Sequence, residues 1–177
     1  MDNLSPKIAL VGEKAPDFVL TDGTGAEWRL ADQEGSVTVL LFYPGNETLV
    51  CTKQLCSVRD NWNSYLETKA VIVGVSPPAS EDHAGFAARH RLPLPLLIDN
   101  DRSVTKQFAQ HAFFPLSFTR AVVVIDAKGI VRSREVMLRA FRPKDEHVIA
   151  SIYAARSDAL TDRYDKLRMR MKKDLDT

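Results

Sequence analysis

The sequence predicts an α/β sandwich in which helices flank a mixed β-sheet. Apolar runs typical of buried strands alternate with segments of helical periodicity, and two hairpin signals frame them. The chain has 177 residues, which suits one domain of ~100–200 residues, and it shows no internal repeat or linker. We expect one domain over residues 1–160 and a basic, amphipathic helical extension over residues 161–177.

The first half of the chain predicts a hairpin, a buried strand and a helix. Residues 18–30 carry two short apolar runs around an Asp-Gly turn, which is the composition of a β-hairpin. Val37–Tyr43 is rich in β-branched and aromatic residues and stops at Pro44, as a strand buried on both faces does. Apolar residues at steps of three and four then predict a helix from about Thr52 to Glu67.

The second half repeats these patterns. They predict a strand at 71–76, a helix capped by Ser80 and ending near His90, a strand at 96–98, a helix at 103–109, a hairpin of 121–126 with 130–135, and a last helix opened by Pro143. A proline suits the first helical position because its missing N–H has no partner there to lose.

Charge and hydropathy exclude several classes of function. Lys and Arg number 24 against 23 Asp and Glu, and a net charge of +1 is too small for nucleic-acid or anionic-membrane binding through a domain-wide field. The apolar stretch Ile8–Val11 is shorter than the ~7–15 residues of a signal-peptide core, and no run of ~18 apolar residues occurs. We expect a cytoplasmic chain that binds neither nucleic acid nor membrane.

The chain has two cysteines, Cys51 and Cys56, which is too few for a disulfide scaffold or a four-cysteine zinc site. No histidine lies near them in sequence, so we expect no metal and no cofactor. Cys51 opens the predicted helix, where free backbone N–H groups and the helix dipole favour a thiolate. The alternative for Cys51 is a small buried hydrophobic residue.

The spacing of the cysteines carries a structural condition. Five helical residues separate Cα atoms by roughly 8.6 Å, whereas a disulfide needs less than ~7 Å. A disulfide between Cys51 and Cys56 would therefore require the helix to unwind. The alternative for Cys56 is a core residue on the face of Leu55 and Val58.

The segment Pro44-x-x-x-Thr48-x-x-Cys51 resembles the active-site signature of the peroxiredoxins, and a second cysteine at 56 resembles their bacterioferritin comigratory protein, or Q-type, branch. Further resemblances cover the family's opening at 12–18, the helical pair Arg59-Asp60 and the arginine-bearing strand at 118–126. The resemblance implies a thioredoxin-like sandwich with an N-terminal β-hairpin, and it extends over about residues 11–153.

The resemblance also implies a role for each matching residue. Cys51 would attack peroxide and become a sulfenic acid. Thr48 would hydrogen-bond the thiolate and peroxide, Pro44 would shield the sulfur, and Arg120 would stabilise the developing charge. Cys56 would resolve the sulfenate as an intramolecular disulfide, which thioredoxin or a glutaredoxin-type reductant would recycle. The expected function is thus a peroxidase for hydrogen peroxide and organic hydroperoxides.

Each of these residues has a plainer interpretation. Thr48 is also a common N-cap residue, Pro44 a strand stop and Arg120 a solvated charge at a strand end. The chain departs from many relatives by Leu49-Val50 in place of Pro-Gly and by Gln54 in place of Glu, so an acid-base role is not expected for Gln54. The histidines are expected to be surface or structural residues.

Two other functions stay open at the level of sequence. A thioredoxin-like disulfide oxidoreductase would carry cysteines two residues apart and a proline before the strand at 121, where Thr119-Arg120 stands instead. A redox sensor would use the same thiol without turnover, and sustained peroxide consumption separates the two classes. The extension over 161–177 interleaves basic residues with Asp, which favours a solvated helix. The chain is expected to be a monomer or a homodimer, the latter through that extension.

Overall fold

The computed structural model describes residues 8–45, 49–78, 82–158 and 160. Its strands are β1 (Val19–Asp22), β2 (Glu27–Arg29), β3 (Thr38–Phe42), β4 (Val71–Ser76), β5 (Leu96–Ile98), β6 (Thr119–Ile125) and β7 (Val131–Leu138). Its helices are α1 (Leu49–Asp60), α2 (Trp62–Glu67), α3 (His83–Arg89), α4 (Ser103–Ala109) and α5 (145–158), and the expected extension over 161–177 lies outside the described residues.

The described strands form one mixed sheet in the order β2-β1-β5-β4-β3-β6-β7. The three strands β3, β4 and β5 are parallel, whereas the other neighbouring pairs are antiparallel. In the β3–β6 pair, Phe42 lies opposite Ala121, so the carboxyl end of β3 adjoins the amino end of β6. This register places the start of β6 beside the turn that follows β3.

Two apolar clusters cover the two faces of the sheet. One joins the odd-numbered residues of β3 to α1, α2, α3 and α5, and the other joins its even-numbered residues to α4. Side chains alternate between faces along a strand, and all five residues of β3 are buried. Burial of each valine or leucine contributes about 1.5–3 kcal/mol, so β3 anchors both halves of the core.

The α/β sandwich with a mixed sheet and an N-terminal hairpin is confirmed, but the helix expected over 52–67 is wrong in two respects. Helix α1 already includes Leu49, so Cys51 lies inside its first turn. Asn61 leaves helical geometry at φ −100° and ψ 17° and separates α1 from α2. Its side-chain amide donates to the carbonyl of Ser57 at 3.0 Å, a local bond that competes with a regular helix.

Helices α3 and α5 do not begin at the predicted residues. Helix α3 begins at His83, and Ser80, its expected cap, lies outside the described residues. Pro143 is not the first residue of α5, which begins at residue 145. The carbonyl of Lys144 accepts the opening hydrogen bonds from His147 and Val148, so Pro143 lies just before the helix.

A carboxylate at the start of α5 ties that helix to α1 and α2. Asp145 accepts hydrogen bonds from the hydroxyl of Ser57, from the amide of Asn61 at 3.1 Å and from the hydroxyl of Tyr65 at 2.7 Å. Burial raises the pKa of Tyr65, and the hydrogen bond to Asp145 raises it further. We call this group the Asp145 clamp; it fixes the carboxyl-terminal end of α1.

Candidate active site

Cys51 lies at the carboxyl end of β3 with its side chain against the sheet. The residue is 0% exposed and packs in the same cluster as Tyr43 and Leu55. Both cysteines are free thiols, and α1 is continuous between them. The structure is therefore the reduced, folded arrangement of this turn.

Arg120 is the side chain that approaches Cys51. Its Nη2 donates to Cys51 Sγ at 3.2 Å and to the carbonyl of Arg139 at 3.4 Å, and its Nη1 donates to Gln54 Oε1. Arg120 is 0% exposed, so its interpretation as a solvated charge is wrong. The register of β6 against β3 carries the residue to the turn and points it at the face that holds Cys51.

The partners of Arg120 bear on the charge state of the site. Among the described residues, its acceptors are two neutral oxygens and the sulfur of Cys51. A guanidinium stays protonated in proteins, and a buried cation is costly unless an anion lies beside it. The approach of Arg120 Nη2 to Cys51 Sγ therefore places a permanent positive charge beside the sulfur.

Gln54 is a site residue whose role the sequence did not reveal. It is 2% exposed, lies three residues after Cys51 and positions Arg120 through its amide oxygen. Its Nε2 and the Nε of Arg120 lack a hydrogen-bond partner among the described residues. Besides its place where many relatives carry Glu, the signal in the sequence was the i, i+3 spacing, which places Gln54 and Cys51 on one helical face.

A buried polar chain runs behind Cys51. Tyr43 is hydrogen-bonded to Ser76, and Ser76 Oγ lies 2.9 Å from His83 Nε2. Burial raises the pKa of Tyr43, and the charge of Cys51 acts in the same direction. The phenol therefore stays neutral, and His83 is a buried, hydrogen-bonded residue at the end of this chain.

Cys56 lies on another side of α1. It is half-buried and is absent from the apolar cluster that contains Leu55 and Val58, so its interpretation as a core residue is wrong. Its Sγ lies 3.8 Å from Nδ1 of His90, at the end of α3. The two cysteines thus differ in surroundings, with a cation beside Cys51 and an imidazole beside Cys56.

Of the two remaining predicted residues, the structure describes Pro44, at the turn after β3. Pro44 is half-buried and lines a shallow depression with Tyr43, Pro77 and Thr119. Thr48 belongs to residues 46–48, which are outside the described part of the chain. Within the described residues, no cluster of metal-ligating side chains occurs, and no helix has the length and apolarity to cross a membrane.

Comparison with known proteins places this geometry in a family. The model of the AhpC/TSA family matches residues 11–134. Peroxiredoxin Bcp of Bacillus subtilis is 41% identical over 98 residues, 55% of this chain and 62% of that protein. Chloroplastic peroxiredoxin Q of Triticum aestivum is 36% identical over 122 residues, 68% of this chain and 56% of that protein. The chain thus spans less than two thirds of the length of these two relatives.

Solved structures give the same placement. Peroxidoxin BcpB from Mycobacterium tuberculosis superimposes with a TM-score of 0.69 at 31% identity, over 81% of this chain and 96% of that one. Reduced 2-Cys peroxiredoxin of Plasmodium vivax superimposes with a TM-score of 0.72 at 25% identity, over 83% of this chain and 82% of that one. The chain therefore belongs to the AhpC/TSA family, in its Bcp and peroxiredoxin Q branch, and has the thioredoxin-like fold of peroxiredoxins.

Proposed function

We propose that this chain is a thiol peroxidase that reduces hydrogen peroxide and organic hydroperoxides at Cys51. The observation that carries the proposal is the buried guanidinium of Arg120, whose Nη2 lies 3.2 Å from Cys51 Sγ. Family membership supports the same chemistry, because the relatives of this branch are named peroxiredoxins.

In the first step the Cys51 thiolate attacks the terminal oxygen of the peroxide. The S–O bond forms as the O–O bond breaks, so sulfur is oxidised to a sulfenic acid and an alkoxide or hydroxide leaves and takes a proton. Arg120 stabilises the negative charge that moves from sulfur to the leaving oxygen. Thr48 hydrogen-bonds the reacting atoms, and Pro44 shields the sulfur from bulk water.

In the second step Cys56 attacks the sulfenic acid. A disulfide forms as the S–O bond breaks, and the oxygen leaves as water. Because the two residues lie on one continuous helix, the segment between them must unwind before the sulfurs can meet. Thioredoxin or a glutaredoxin-type dithiol then reduces the disulfide and returns both thiols.

The wider setting of this chemistry belongs to the same proposal. We place the reaction in a single domain over residues 1–160, in a reducing cytoplasm. The chain acts as a monomer or homodimer, with residues 161–177 as the segment available for pairing.

Intact mass after one equivalent of hydrogen peroxide tests the proposal. Disulfide formation lowers the mass by about 2 units, whereas a stable sulfenic acid raises it by about 16 units. We expect the decrease in the reduced wild-type chain, followed by sustained NADPH consumption when thioredoxin, its reductase and excess peroxide are added. Oxidation of a single equivalent without turnover would instead identify a redox sensor, and no mass change would contradict the proposal.

A further inference from the structure

The imidazole of His90 lies against the sulfur of Cys56, away from the Cys51 site. The two atoms nearest each other are Cys56 Sγ and His90 Nδ1, which are 3.8 Å apart. Cys56 belongs to α1, whereas His90 follows the last residue of α3, so the contact joins two separate elements. Distance and atom types suit a hydrogen bond between a thiol and a ring nitrogen.

Contacts from both elements hold the His90 ring in this position. Its ring packs on Phe86, with centroids 4.6 Å apart, and Phe86 is itself 0% exposed. Its backbone N–H donates to the carbonyl of Phe86 at 3.1 Å. Its carbonyl accepts from Nη1 of Arg59, on α1, at 2.7 Å. The imidazole therefore has a defined place relative to Cys56.

Arg59 adds a positive charge beside the same sulfur. Its guanidinium also donates to Asp60 Oδ1, at 2.9 Å from Nε and 2.8 Å from Nη2. The pKa of Arg59 is raised, chiefly by the hydrogen bond to Asp60 and in smaller part by the charge of Cys56. Arg59 lies three residues after Cys56, on the same face of α1, so its charge is available to a thiolate at Cys56.

The resolving reaction needs a base for the thiol proton of Cys56 and a cation beside the resulting thiolate, and His90 and Arg59 can supply them. A thiolate, not a thiol, attacks sulfur, so Cys56 must lose its proton before the disulfide can form. A neutral imidazole within reach of a thiol accepts that proton, and a nearby cation stabilises the thiolate that results.

We propose that His90 is the general base of the resolving step, an inference that rests on the peroxidase function proposed above. His90 Nδ1 takes the proton of Cys56, and the thiolate is stabilised by Arg59 until α1 opens. The thiolate then attacks the Cys51 sulfenic acid; the S–S bond forms, the S–O bond breaks, and hydroxide leaves. The proton held by His90 returns through solvent, so the net products are a disulfide and water.

The decisive variant is His90→Phe, which keeps an aromatic ring to pack on Phe86 and removes the basic nitrogen. His147→Phe is the matched control, because His147 is exposed on α5. Each reduced protein is mixed with one equivalent of hydrogen peroxide, and intact mass is followed by rapid acid quench. We expect sulfenic acid formation within about twofold of wild type in both variants, and disulfide formation at pH 7 slowed about tenfold or more in His90→Phe alone.

The pH dependence separates a proton-accepting role from a packing role. At alkaline pH, solvent removes the thiol proton without help from His90. The difference in the rate of disulfide formation between wild type and His90→Phe should therefore become smaller as pH rises from 7 to 9. The proposal would be overturned if His90→Phe formed the disulfide as fast as wild type, or if its disulfide formation were slowed by the same factor at every pH from 7 to 9. If the wild-type chain formed no sulfenic acid at all, the peroxidase function itself would fail.

A second measurement does not need peroxide. In the Cys51→Ser background, Cys56 is the remaining thiol, and its alkylation by iodoacetamide at pH 7 reports its thiolate fraction. We expect His90→Phe to slow this alkylation severalfold and His147→Phe to leave it unchanged. Equal alkylation rates in Cys51→Ser alone, with His90→Phe and with His147→Phe would contradict the role of His90 even if the peroxidase chemistry held.

Discussion

The two ends of α1 are held by contacts of different kinds. At the amino-terminal end, Cys51 is packed under β3 and meets a buried cation, and the described part of α1 begins two residues before it. At the carboxyl-terminal end, Ser57 and Asn61 both donate hydrogen bonds to Asp145 of α5, the centre of the Asp145 clamp. Under the proposed reaction, oxidation of Cys51 changes a residue in the first set of contacts, whereas every residue of the second set keeps its chemistry.

This difference indicates where the helix opens. A sulfenic acid is neutral, so we expect it to hold the buried guanidinium of Arg120 less strongly than the thiolate of the proposed mechanism does. Ser57 follows Cys56 directly and donates a hydrogen bond to Asp145, which takes no part in the proposed reaction. We therefore expect the segment from Cys51 to Cys56 to unwind from its amino-terminal end, while the helix beyond Ser57 remains folded.

Removing the sulfur at the first end should have the largest effect. Cys51→Ser is expected to abolish peroxide reduction, because no other residue at the site forms a sulfenic acid, while the near-isosteric side chain preserves the fold. Peroxide consumption and circular dichroism measure the two properties, with Cys56→Ser as the matched variant. Substantial turnover by Cys51→Ser would place the reactive sulfur elsewhere.

Removing the sulfur at the second end should stop the cycle one step later. Cys56→Ser is expected to form the Cys51 sulfenic acid at the wild-type rate, to gain about 16 mass units and to pass more readily to sulfinic acid. Recycling by thioredoxin should be lost. Normal recycling would show that Cys56 takes no part in resolution.

Removing the charge of Arg120, at the amino-terminal end of α1, should slow Cys51 oxidation strongly without abolishing it. Arg120→Met is expected to slow Cys51 oxidation about 10²–10³-fold, as the loss of a charge-stabilising donor does elsewhere. Arg134→Met is the control, since Arg134 is partly buried and donates to the carbonyls of Phe108 and Gln110 instead. Stopped-flow peroxide consumption gives the rates, and equal slowing of both variants would indicate a nonspecific effect.

The clamp at the second end should affect stability more than chemistry. Asp145→Ala leaves three donors without their acceptor, so we expect the free energy of unfolding to fall by about 1–3 kcal/mol. Hydrogen exchange at Ser57–Asn61 should accelerate, whereas the rate of Cys51 oxidation should stay within about twofold. Glu146→Ala, at an exposed neighbouring position, is the control. A selective loss of Cys51 reactivity in Asp145→Ala would contradict the independence of the two ends.

Most of the fold was predictable because its strands are distinctive in sequence. The strands at 71–76 and 96–98 and the helix at 103–109 were predicted at their observed bounds. The break between α1 and α2 was missed, because Asn61 is held by Asp145, which lies 84 residues away in the chain. Local periodicity carries no information about such a partner.

The candidate site was predictable in part for a related reason. Cys51 and Cys56 were identified from spacing and resemblance. The burial of Arg120 was not predictable, because charged residues are usually exposed and the register of β6 is what turns this side chain inward. Gln54 was identified only as a departure from Glu, and its contact with Arg120 depends on a residue of another element. His90 did not stand out, because its proposed role depends on its contact with Cys56, 34 residues away. Thr48 lies outside the described residues, and its role stays a prediction.

The register of β6 against β3 determines whether Arg120 lies beside Cys51. Arg120 shares a face with Val122 and Val124, whose side chains pack in the cluster that contains Cys51. Side chains alternate along a strand, so a slip of one residue would turn Arg120 to the opposite face. The strand would still present valines to both layers. A single residue inserted between Arg120 and Ala121 would have the same effect, because the valines would keep their register while Arg120 moved to the other face and away from Cys51.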